Sequence, residues 1–362
     1  MYSKRQETIK SILIQKQIDA FLFTNFYNIC YFTGFRTLVA HEREAFLLVT
    51  KEDLYVLSDG RYVDIFKPQE HVLFKLLSTE KGLIKHLQEI ILGEKIAKLG
   101  FEKEDMKWSE YTMFQNTLGV ELIPQDRVGL KMRAIKEDKE IHEIQKACEA
   151  GDDCLSDISK LLRVGMNEKE IAWNIERWIR EKGYDVAFDP IVAVDINSSI
   201  PHYDTKHGSG VIKDNSIILI DMGVMYEGYN SDISRMFFMG KQSYDVIKAY
   251  EELRIAQEKT IKQISSLQRP IHIDSYCRKQ LIEKGFPSYV HSTGHGVGLE
   301  VHEYPKISLT SDDDLKPGNV FTVEPGIYYS GKWGMRIEDT VVMSENNEVK
   351  ILTSYPKKMC LL

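Results

Sequence analysis

The chain has 362 residues, more than one core of ordinary size can organise, which predicts two domains. Its apolar share of 43% and charged share of 28% are close to the globular average and exclude a collagenous or disordered chain. The net charge of −7, with both signs mixed along the sequence, argues against a general attraction to nucleic acid or anionic lipid. We therefore expect a small substrate, no nucleic-acid partner and no membrane partner.

The sequence also indicates where the protein resides. Residues 1–17 alternate charged and apolar positions and lack the basic patch, apolar run and cleavage site of a secretion signal. No run of about 18 uncharged apolar residues is present, so we expect no transmembrane helix. The five cysteines are odd in number and form no CxxC pair, which is typical of free thiols in a reducing compartment. These features predict a soluble cytoplasmic protein.

In chain order, the first third alternates helical and strand patterns. It predicts a helix near Lys4–Lys16, strands at Ala20–Phe23 and Ala45–Thr50, and a helix near Lys81–Leu92. Such alternation predicts an α/β domain. The pattern breaks at Pro124 and enters a polar, basic stretch, so we place a domain at 1–126 and a second at 127–362.

The second domain repeats one order of elements. Helical periodicity covers 137–162 and 167–181, and strand patterns follow near 188–194, 217–224 and 233–239. A second helical pair covers 243–264 and 273–284, and further strands extend through 320–343. Two helices followed by a hairpin therefore occur twice.

The first predicted hairpin carries two acidic residues. If its turn centres between Tyr226 and Glu227, Asp221 and Asp232 lie directly opposite each other. Two like charges facing each other in a buried hairpin are destabilising unless a cation or a shared proton lies between them. For one isolated acid in a strand, a solvated surface charge or a protonated pair is the favoured explanation.

The second predicted hairpin repeats the arrangement. Glu324 and Glu338 are placed symmetrically about Gly331, within a segment rich in turn residues. The two hairpins together supply four carboxylates, which are the hard oxygen ligands that divalent ions prefer. The repetition favours a metal site over two unrelated surface charges.

Histidines are concentrated between the hairpins. His291, His295 and His302 account for three of the ten histidines of the chain, and glycines flank His295 on both sides. An imidazole without bulky neighbours can approach an ion closely. His291 alone is explained equally well as a hydrogen-bonded core residue, and His202, which follows Pro201, is a fourth candidate.

The order of these motifs resembles that of the pita-bread metallopeptidases, in the branch of Xaa-Pro dipeptidases (prolidases) and aminopeptidases P. The motifs are Asp221-x10-Asp232, Gly-His295-Gly-x-Gly, Val-Glu324-Pro-Gly and Arg-Ile-Glu338-Asp-Thr. Segments beginning at Asn28, Asp59 and Arg133 resemble the amino-terminal domain of that family and its entry into the catalytic domain. The resemblance implies an α+β two-domain protein, with a smaller α/β creatinase-like domain before a pita-bread catalytic domain that has an internal pseudo-two-fold repeat.

The resemblance also implies roles for particular residues. It implies metal ligation by Asp221, Asp232, His295, Glu324 and Glu338, with Asp232 and Glu338 bridging two ions. Glu324 would also carry the proton, His202 and His302 would stabilise the reacting peptide, His291 and Lys306 would bind substrate, and Arg336 would support the ligands. The implied cofactors are two divalent ions, with manganese favoured and cobalt, iron and zinc as alternatives.

The implied reaction is hydrolysis of the bond before proline in short peptides by a homodimer. An Xaa-Pro dipeptidase is favoured, and the alternative is an aminopeptidase P that accepts longer peptides. Methionine aminopeptidases usually lack the front domain, so its presence disfavours that class. A metal-free binding scaffold or a creatinase-like amidinohydrolase would typically lack some of the five ligands, which are all present here.

Overall fold

The computed structural model describes residues 2–40, 42–66, 72–311 and 313–362. The chain forms two compact units, Met1–Met132 and Arg133–Leu362. The sequence-based boundary at residues 126 and 127 lies a few residues before this division. Among the helices of the described ranges, none is both long enough and apolar enough to cross a membrane.

The first unit is built on a mixed six-stranded sheet with the order β4-β3-β2-β1-β5-β6. The strands are β1 (Ala20–Phe23), β2 (Ala45–Thr50), β3 (Leu54–Asp59), β4 (Val72–Leu77), β5 (Lys98–Glu102) and β6 (Glu121–Gln125). The helices are α1 (Tyr2–Lys16), α2 (Phe26–Thr33), α3 (Leu83–Gly93) and α4 (Trp108–Thr117), and α5 (Val128–Ala134) includes the last residues of this unit and the first two of the next. The α/β prediction and the bounds predicted for β1 and β2 are confirmed.

The second unit contains two helix pairs and several small sheets. The helices are α6 (Asp138–Ser159), α7 (Glu168–Glu181), α8 (Tyr244–Leu267) and α9 (Pro270–Ile282). The first group of strands is β7 (Asp185–Val186), β8 (Ile191–Val194), β9 (Ile217–Met222), β10 (Val224–Tyr226), β11 (Tyr229–Asn230) and β12 (Ile233–Phe238). The second group is β13 (Gly294–Gly296), β14 (Glu303–Ile307), β15 (Val320–Val323), β16 (Gly326–Tyr329), β17 (Trp333–Arg336), β18 (Asp339–Met343), β19 (Val349–Ile351) and β20 (Cys360–Leu361).

The predicted repetition of a helix pair and a hairpin is confirmed by this order of elements. One sheet has the order β20-β12-β9-β8 and another has the order β14-β13-β15-β18-β19, while β16 pairs with β17 and β10 pairs with β11 and β7. The central strands β9 and β12 belong to the first repeat, and β15 and β18 belong to the second. Each repeat thus contributes one long antiparallel hairpin to the interior.

Strand β9 is buried on both faces. Ile218, Ile220 and Met222 pack into the core formed with α6 and α7, whereas Ile217 and Leu219 pack into the core that includes α8. Burying aliphatic side chains of this size contributes about 1.5–3 kcal/mol each. A slip of one residue would exchange the two faces, so this burial fixes which residues of the hairpin face which side.

Candidate metal centre

The first hairpin places its two acidic residues on one face, but not directly opposite each other. Strands β9 and β12 pair with Asp221 opposite Ser234. The predicted opposition of Asp221 and Asp232 is therefore wrong. Because Asp232 stands two positions before Ser234, the two aspartates are diagonal neighbours on the same face. A diagonal pair still converges on one point.

The turn of this hairpin explains the difference in register. Tyr226 pairs with Tyr229, so the two central residues are Glu227 and Gly228. Both adopt positive φ, at 48° for Glu227 and 76° for Gly228. Positive φ at both central positions is the requirement of a type I′ turn, whose twist matches that of the flanking strands. The turn therefore centres one residue later than predicted.

The second hairpin has the predicted register. Gly326 pairs with Arg336, and the pairing of β15 with β18 continues the same register on the other side. Glu324 lies between β15 and β16, and Glu338 lies between β17 and β18. The two glutamates are therefore opposed about Gly331 as expected. Glu338 is buried and Glu324 is partly buried.

Strand β13 carries His295 between two neighbouring strands. A Cβ atom added to Gly294 would lie 1.9 Å from the carbonyl oxygen of Thr322, and one added to Gly296 would lie 2.1 Å from that of Tyr304. Neither position has room for a side chain. The glycines allow β13 to enter this narrow space and to bring the His295 imidazole inward.

The orientation of the His295 ring suits a metal ligand. Its Nδ1 lies 3.1 Å from the carbonyl oxygen of Gly296, to which it can donate a hydrogen bond. Its Nε2 lies 3.6 Å from Asp232 Oδ2 and 3.5 Å from Glu324 Oε1. Burial and the neighbouring His302 lower the pKa of His295 to about 3, so the imidazole is neutral, the form that binds metals.

The predicted ligands converge. Their oxygen and nitrogen atoms form three overlapping groups, each with its atoms within 4.8 Å of one another. The groups are Asp221, Asp232 and Glu338; His295, Glu324 and Glu338; and Asp232, His295 and His302. Among the described residues, the buried Oδ1 of Asp221 has no hydrogen-bond partner. An unpartnered carboxylate oxygen within a set of oxygen and imidazole donors fits a divalent cation.

The charges of the cluster lead to the same conclusion. Burial and the neighbouring Asp221 raise the pKa of Glu338 to about 8. Burial and the charge of Glu338 raise the pKa of Asp232 and Glu324 well above their usual range. Buried carboxylates that repel one another require protons or a cation. A divalent cation would satisfy several of them at once.

Arg336 supports the ligands from one side. Its guanidinium donates a hydrogen bond to Asp221, and its Nε donates to Ser234 Oγ at 2.9 Å. Ser234 in turn donates to Glu338 Oε2 at 2.8 Å. Arg336 Nη1 also donates to the hydroxyl of Tyr328 at 3.0 Å. The arginine therefore orients carboxylates from both hairpins.

Two further histidines lie beside the cluster. His291 Nδ1 is 3.7 Å from Glu324 Oε2, and its Nε2 is 3.1 Å from the Tyr328 hydroxyl. Burial and the charge of Arg336 lower the pKa of His291 to about 3. His302 is exposed, and its ring centroid lies 4.2 Å from that of His295. His291 is therefore half-buried beside a carboxylate, and His302 is accessible to a ligand.

His202 and Lys306 are both exposed. Burial and the charge of His202 lower the pKa of His302, and Arg336 Nη1 donates to the carbonyl oxygen of Pro201 at 2.9 Å, so His202 lies at the edge of the cluster. Lys306 pairs with His295 across β13 and β14. Directly opposed residues share one face of a sheet, which places Lys306 on the side of the imidazole.

Sequence patterns did not indicate Ser234, Thr322 or Tyr328. Ser234 could have been found, because it follows Asp232 by two positions and therefore shares its face. Thr322, whose Oγ1 accepts a hydrogen bond from His295 N at 3.1 Å, lies on β15 beside the distant strand β13. Tyr328 lies in the hairpin of β16 and β17, but its contact with His291 joins segments far apart in sequence. No local pattern reveals such contacts.

Comparisons with known proteins agree with this geometry. Residues 142–345 match the family described as Metallopeptidase family M24, and residues 5–135 match the Creatinase/Prolidase N-terminal domain. This chain belongs to metallopeptidase family M24. The M24 match covers the hairpins and histidines of the second unit, so the expected creatinase-like and pita-bread domains are confirmed.

Relatives of this M24 peptidase match along nearly their whole length. An uncharacterized peptidase of Bacillus subtilis is 32% identical over 98% of this chain and 99% of its own. An Xaa-Pro dipeptidase of Pyrococcus horikoshii is 30% identical over 96% and 97%.

Solved structures are similar to the whole chain as well. An Xaa-Pro dipeptidase from Bacillus anthracis has a TM-score of 0.91 and 30% identity, covering 100% of both chains. An X-Pro aminopeptidase from Thermotoga maritima has a TM-score of 0.87 and 32% identity, covering 99% of both chains.

Proposed function

We propose that this M24 metallopeptidase hydrolyses the bond before proline in short peptides, with Xaa-Pro dipeptides as preferred substrates. The observation that carries the proposal is the convergence of four carboxylates and one imidazole in overlapping groups, one of which contains Asp221 with its unpartnered Oδ1. Relatives named Xaa-Pro dipeptidases match along nearly the whole chain.

The proposed cofactors are two divalent ions. The residues that would hold them are Asp221, Asp232, His295, Glu324 and Glu338. Asp232, His295 and Glu338 each belong to two of the three overlapping groups, and of these only the two carboxylates have a second oxygen for a second ion, which supports their use as bridging ligands. Divalent ions supply a Lewis acid for the scissile carbonyl and lower the pKa of water to near 7. The predominance of oxygen donors favours manganese over softer metals.

Residues of the chain carry out proton transfer, stabilisation of the reacting amide and substrate binding. Glu324 takes a proton from the attacking water and delivers it to the departing proline nitrogen. His202 and His302, both exposed at the edge of the cluster, donate hydrogen bonds to the reacting amide as charge develops on it. His291 binds substrate next to Glu324, and Lys306 attracts the carboxyl end of a dipeptide.

A second candidate is an aminopeptidase P that releases the first residue of longer Xaa-Pro peptides. The similarity to an X-Pro aminopeptidase from Thermotoga maritima favours this reading. Lys306 agrees with it as well, because an ammonium group lacks the planar fork with which arginine binds a carboxylate in two places. A looser contact with the carboxyl end would admit tripeptides.

The proposal includes a cytoplasmic homodimer that binds neither nucleic acid nor membranes. All five cysteines are free thiols and four are buried, which is consistent with a reducing compartment. Light scattering of the purified protein would test the dimer, since a monomer at micromolar concentration would contradict it.

The decisive experiment is a hydrolysis panel. Metal-depleted protein is assayed on Xaa-Pro dipeptides, Xaa-Pro-Yaa tripeptides and matched Xaa-Ala peptides, with manganese, cobalt, iron or zinc added separately. We expect cleavage only with a divalent ion and only before proline, fastest for dipeptides. Equal cleavage of the Xaa-Ala peptides would contradict the proposed specificity, and faster cleavage of tripeptides would identify the aminopeptidase.

A further inference from the structure

Glu168, at the start of α7, is a fully buried carboxylate outside the metal cluster. It accepts four hydrogen bonds, two at each oxygen. The donors are Val194 N at 2.7 Å and Asn197 Nδ2 at 2.8 Å to Oε1, and Tyr203 OH at 2.9 Å and Gly210 N at 2.8 Å to Oε2. Two donors at each oxygen match the lone-pair capacity of an ionised carboxylate.

All four donors belong to one segment, residues 194–210, which contains His202. Oε1 binds the start of the segment, through Val194 and Asn197. Oε2 binds its second half, through Tyr203 and Gly210. A single carboxylate therefore joins the two ends of the segment.

Helix capping does not explain this side chain. Acidic residues in the first turn of a helix are favourable through the helix dipole alone, and Glu170 also lies in the first turn of α7. The capping bond of α7 is made by Asn167, whose side chain accepts from Glu170 N at 2.9 Å. The hydrogen bonds of Glu168 are directed at the segment instead of at its own helix.

The same segment is held on its other side by residues near the metal cluster. Arg336 Nη1 donates to the carbonyl oxygen of Pro201 at 2.9 Å. His202 therefore stands between Pro201, which is bound to Arg336, and Tyr203, which is bound to Glu168. Both neighbours of His202 are fixed while its own side chain remains exposed.

We infer that Glu168 is a positioning residue that fixes His202 for contact with the substrate. The inference rests on the proposed function, because it assigns His202 to the reacting peptide. Glu168 itself does not touch the substrate. Displacement of a catalytic group by about 1 Å can lower a rate about 100-fold. Loss of the carboxylate that sets the position of His202 should therefore lower kcat, although Glu168 does not contact the substrate.

The test variant is Glu168→Gln, which keeps the shape of the side chain. It replaces one acceptor oxygen with an NH2 group, which cannot accept hydrogen bonds from the N–H or O–H donors of the segment. We expect kcat to fall roughly 10–100-fold, with the metal content unchanged. The matched control is Glu102→Gln in the first unit. Glu102 is also buried, and it accepts from the backbone N–H groups of Thr24 at 2.6 Å and Asn25 at 2.8 Å. This control should keep the wild-type kcat.

A double-mutant cycle separates positioning from general destabilisation. In a His202→Ala background, Glu168→Gln should change kcat less than about twofold, because the residue through which it acts is absent. Full additivity of the two losses would overturn the inference. Should Glu168→Gln fail to fold, Tyr203→Phe removes one donor and keeps the carboxylate. Its smaller loss of kcat should likewise vanish in the His202→Ala background, and its persistence there would overturn the inference.

Hydrogen exchange provides a readout that does not require activity. The backbone amides of residues 195–208, apart from Pro201, should exchange about tenfold faster in Glu168→Gln than in the wild type, while Glu102→Gln leaves them unchanged. Unchanged exchange in Glu168→Gln would overturn the inference. A wild-type protein that cleaves no Xaa-Pro peptide would instead contradict the proposed function, and the exchange result would still decide whether Glu168 holds the segment.

Discussion

Arg235 and Asp339 form a buried ion pair that joins β12 to β18, with 2.7 Å between Nη2 and Oδ1 and each side chain 1% exposed. Asp339 directly follows the cluster residue Glu338, and Arg235 directly follows Ser234, which donates a hydrogen bond to Glu338. Because adjacent side chains of extended chain point in opposite directions, the ion pair lies behind the cluster. Lys357 Nζ adds a second cation, 2.6 Å from Asp339 Oδ2.

Asp339→Asn should therefore destabilise the second unit strongly. The change leaves the buried charge of Arg235 without its partner, which typically costs about 3–5 kcal/mol. Urea denaturation measures the loss. Asp189→Asn is a suitable control, because Asp189 pairs with Lys206 on the surface and both are exposed. Similar midpoints for the two variants would contradict the structural role of the pair.

The same ion pair predicts a loss of stability in acid. Burial alone would raise the pKa of Asp339, but the charges of Arg235 and Lys357 lower it to about 2. A carboxyl whose folded pKa is depressed stabilises the protein above its unfolded pKa of about 3.9, and this contribution is lost as the pH falls towards 2. The difference in unfolding free energy between wild type and Asp339→Asn should shrink over that range, and a constant difference would argue against the assignment.

Metal removal should abolish peptidase activity and also lower the melting temperature. Without cations, the carboxylates of the cluster either repel one another or take up protons, since the pKa of Glu338 is raised to about 8. Metal binding should therefore release protons, and the apparent affinity should rise with pH towards 8. Calorimetry in buffers of different ionisation enthalpy measures this release. An unchanged melting temperature after chelation would count against the cluster as a metal site.

His295 and His302 should differ in their effects on metal content. His295→Ala removes the buried imidazole that faces Asp232 and Glu324, so we expect metal to be lost. His302→Ala removes an exposed ring 4.2 Å from His295 and should lower turnover with metal retained. Metal analysis alongside kinetics distinguishes the two. Equal loss of metal in both variants would make His302 a ligand as well.

Glu324→Gln should reduce kcat by about two to four orders of magnitude, the range of general acid–base catalysis. The amide keeps the shape of the side chain but carries no exchangeable carboxyl proton. Substrate affinity should be affected less than turnover, as single-turnover kinetics and inhibitor binding would show. Near-normal turnover with metal bound would assign proton transfer to another group.

Lys306→Ala should weaken hydrolysis of Xaa-Pro dipeptides more than that of tripeptides. Only the dipeptide places its carboxylate directly after proline, where a nearby ammonium group can attract it. The ratio of kcat/KM for the two substrates measures the effect, and Lys306→Arg should shift the ratio towards dipeptides. Equal changes for both substrates would identify Lys306 as a surface charge.

The two hairpins illustrate what the sequence could predict about the cluster. The register around Gly331 was predictable because a turn-rich segment separates two clear strand patterns. The register around Glu227 was not, because glutamate rarely adopts positive φ and nothing local indicates that it does so here. The pairing of Asp221 with Ser234 therefore emerged only from the structure.

Most of the other features that the sequence could not predict depend on contacts between segments far apart in the chain. Glu168 has the sequence context of an ordinary acid in the first turn of a helix, and nothing near it in sequence indicates that it binds a segment up to residue 210. Arg336 was implied by the family motif, whereas its contact with Pro201 depends on how strand β17 meets the loop that contains Pro201. Such contacts can be identified only in the folded structure.

The close packing of Gly294 and Gly296 against neighbouring backbone also determines which positions could be varied to change substrate specificity. Main-chain carbonyl oxygens stand 1.9 Å from a Cβ at Gly294 and 2.1 Å from one at Gly296, and a backbone cannot move aside as a flexible side chain can. Libraries that randomise these positions would consist mostly of misfolded protein. Diversity is better placed at Lys306, an exposed residue of the edge strand β14 opposite His295, which can change without obstructing the backbone.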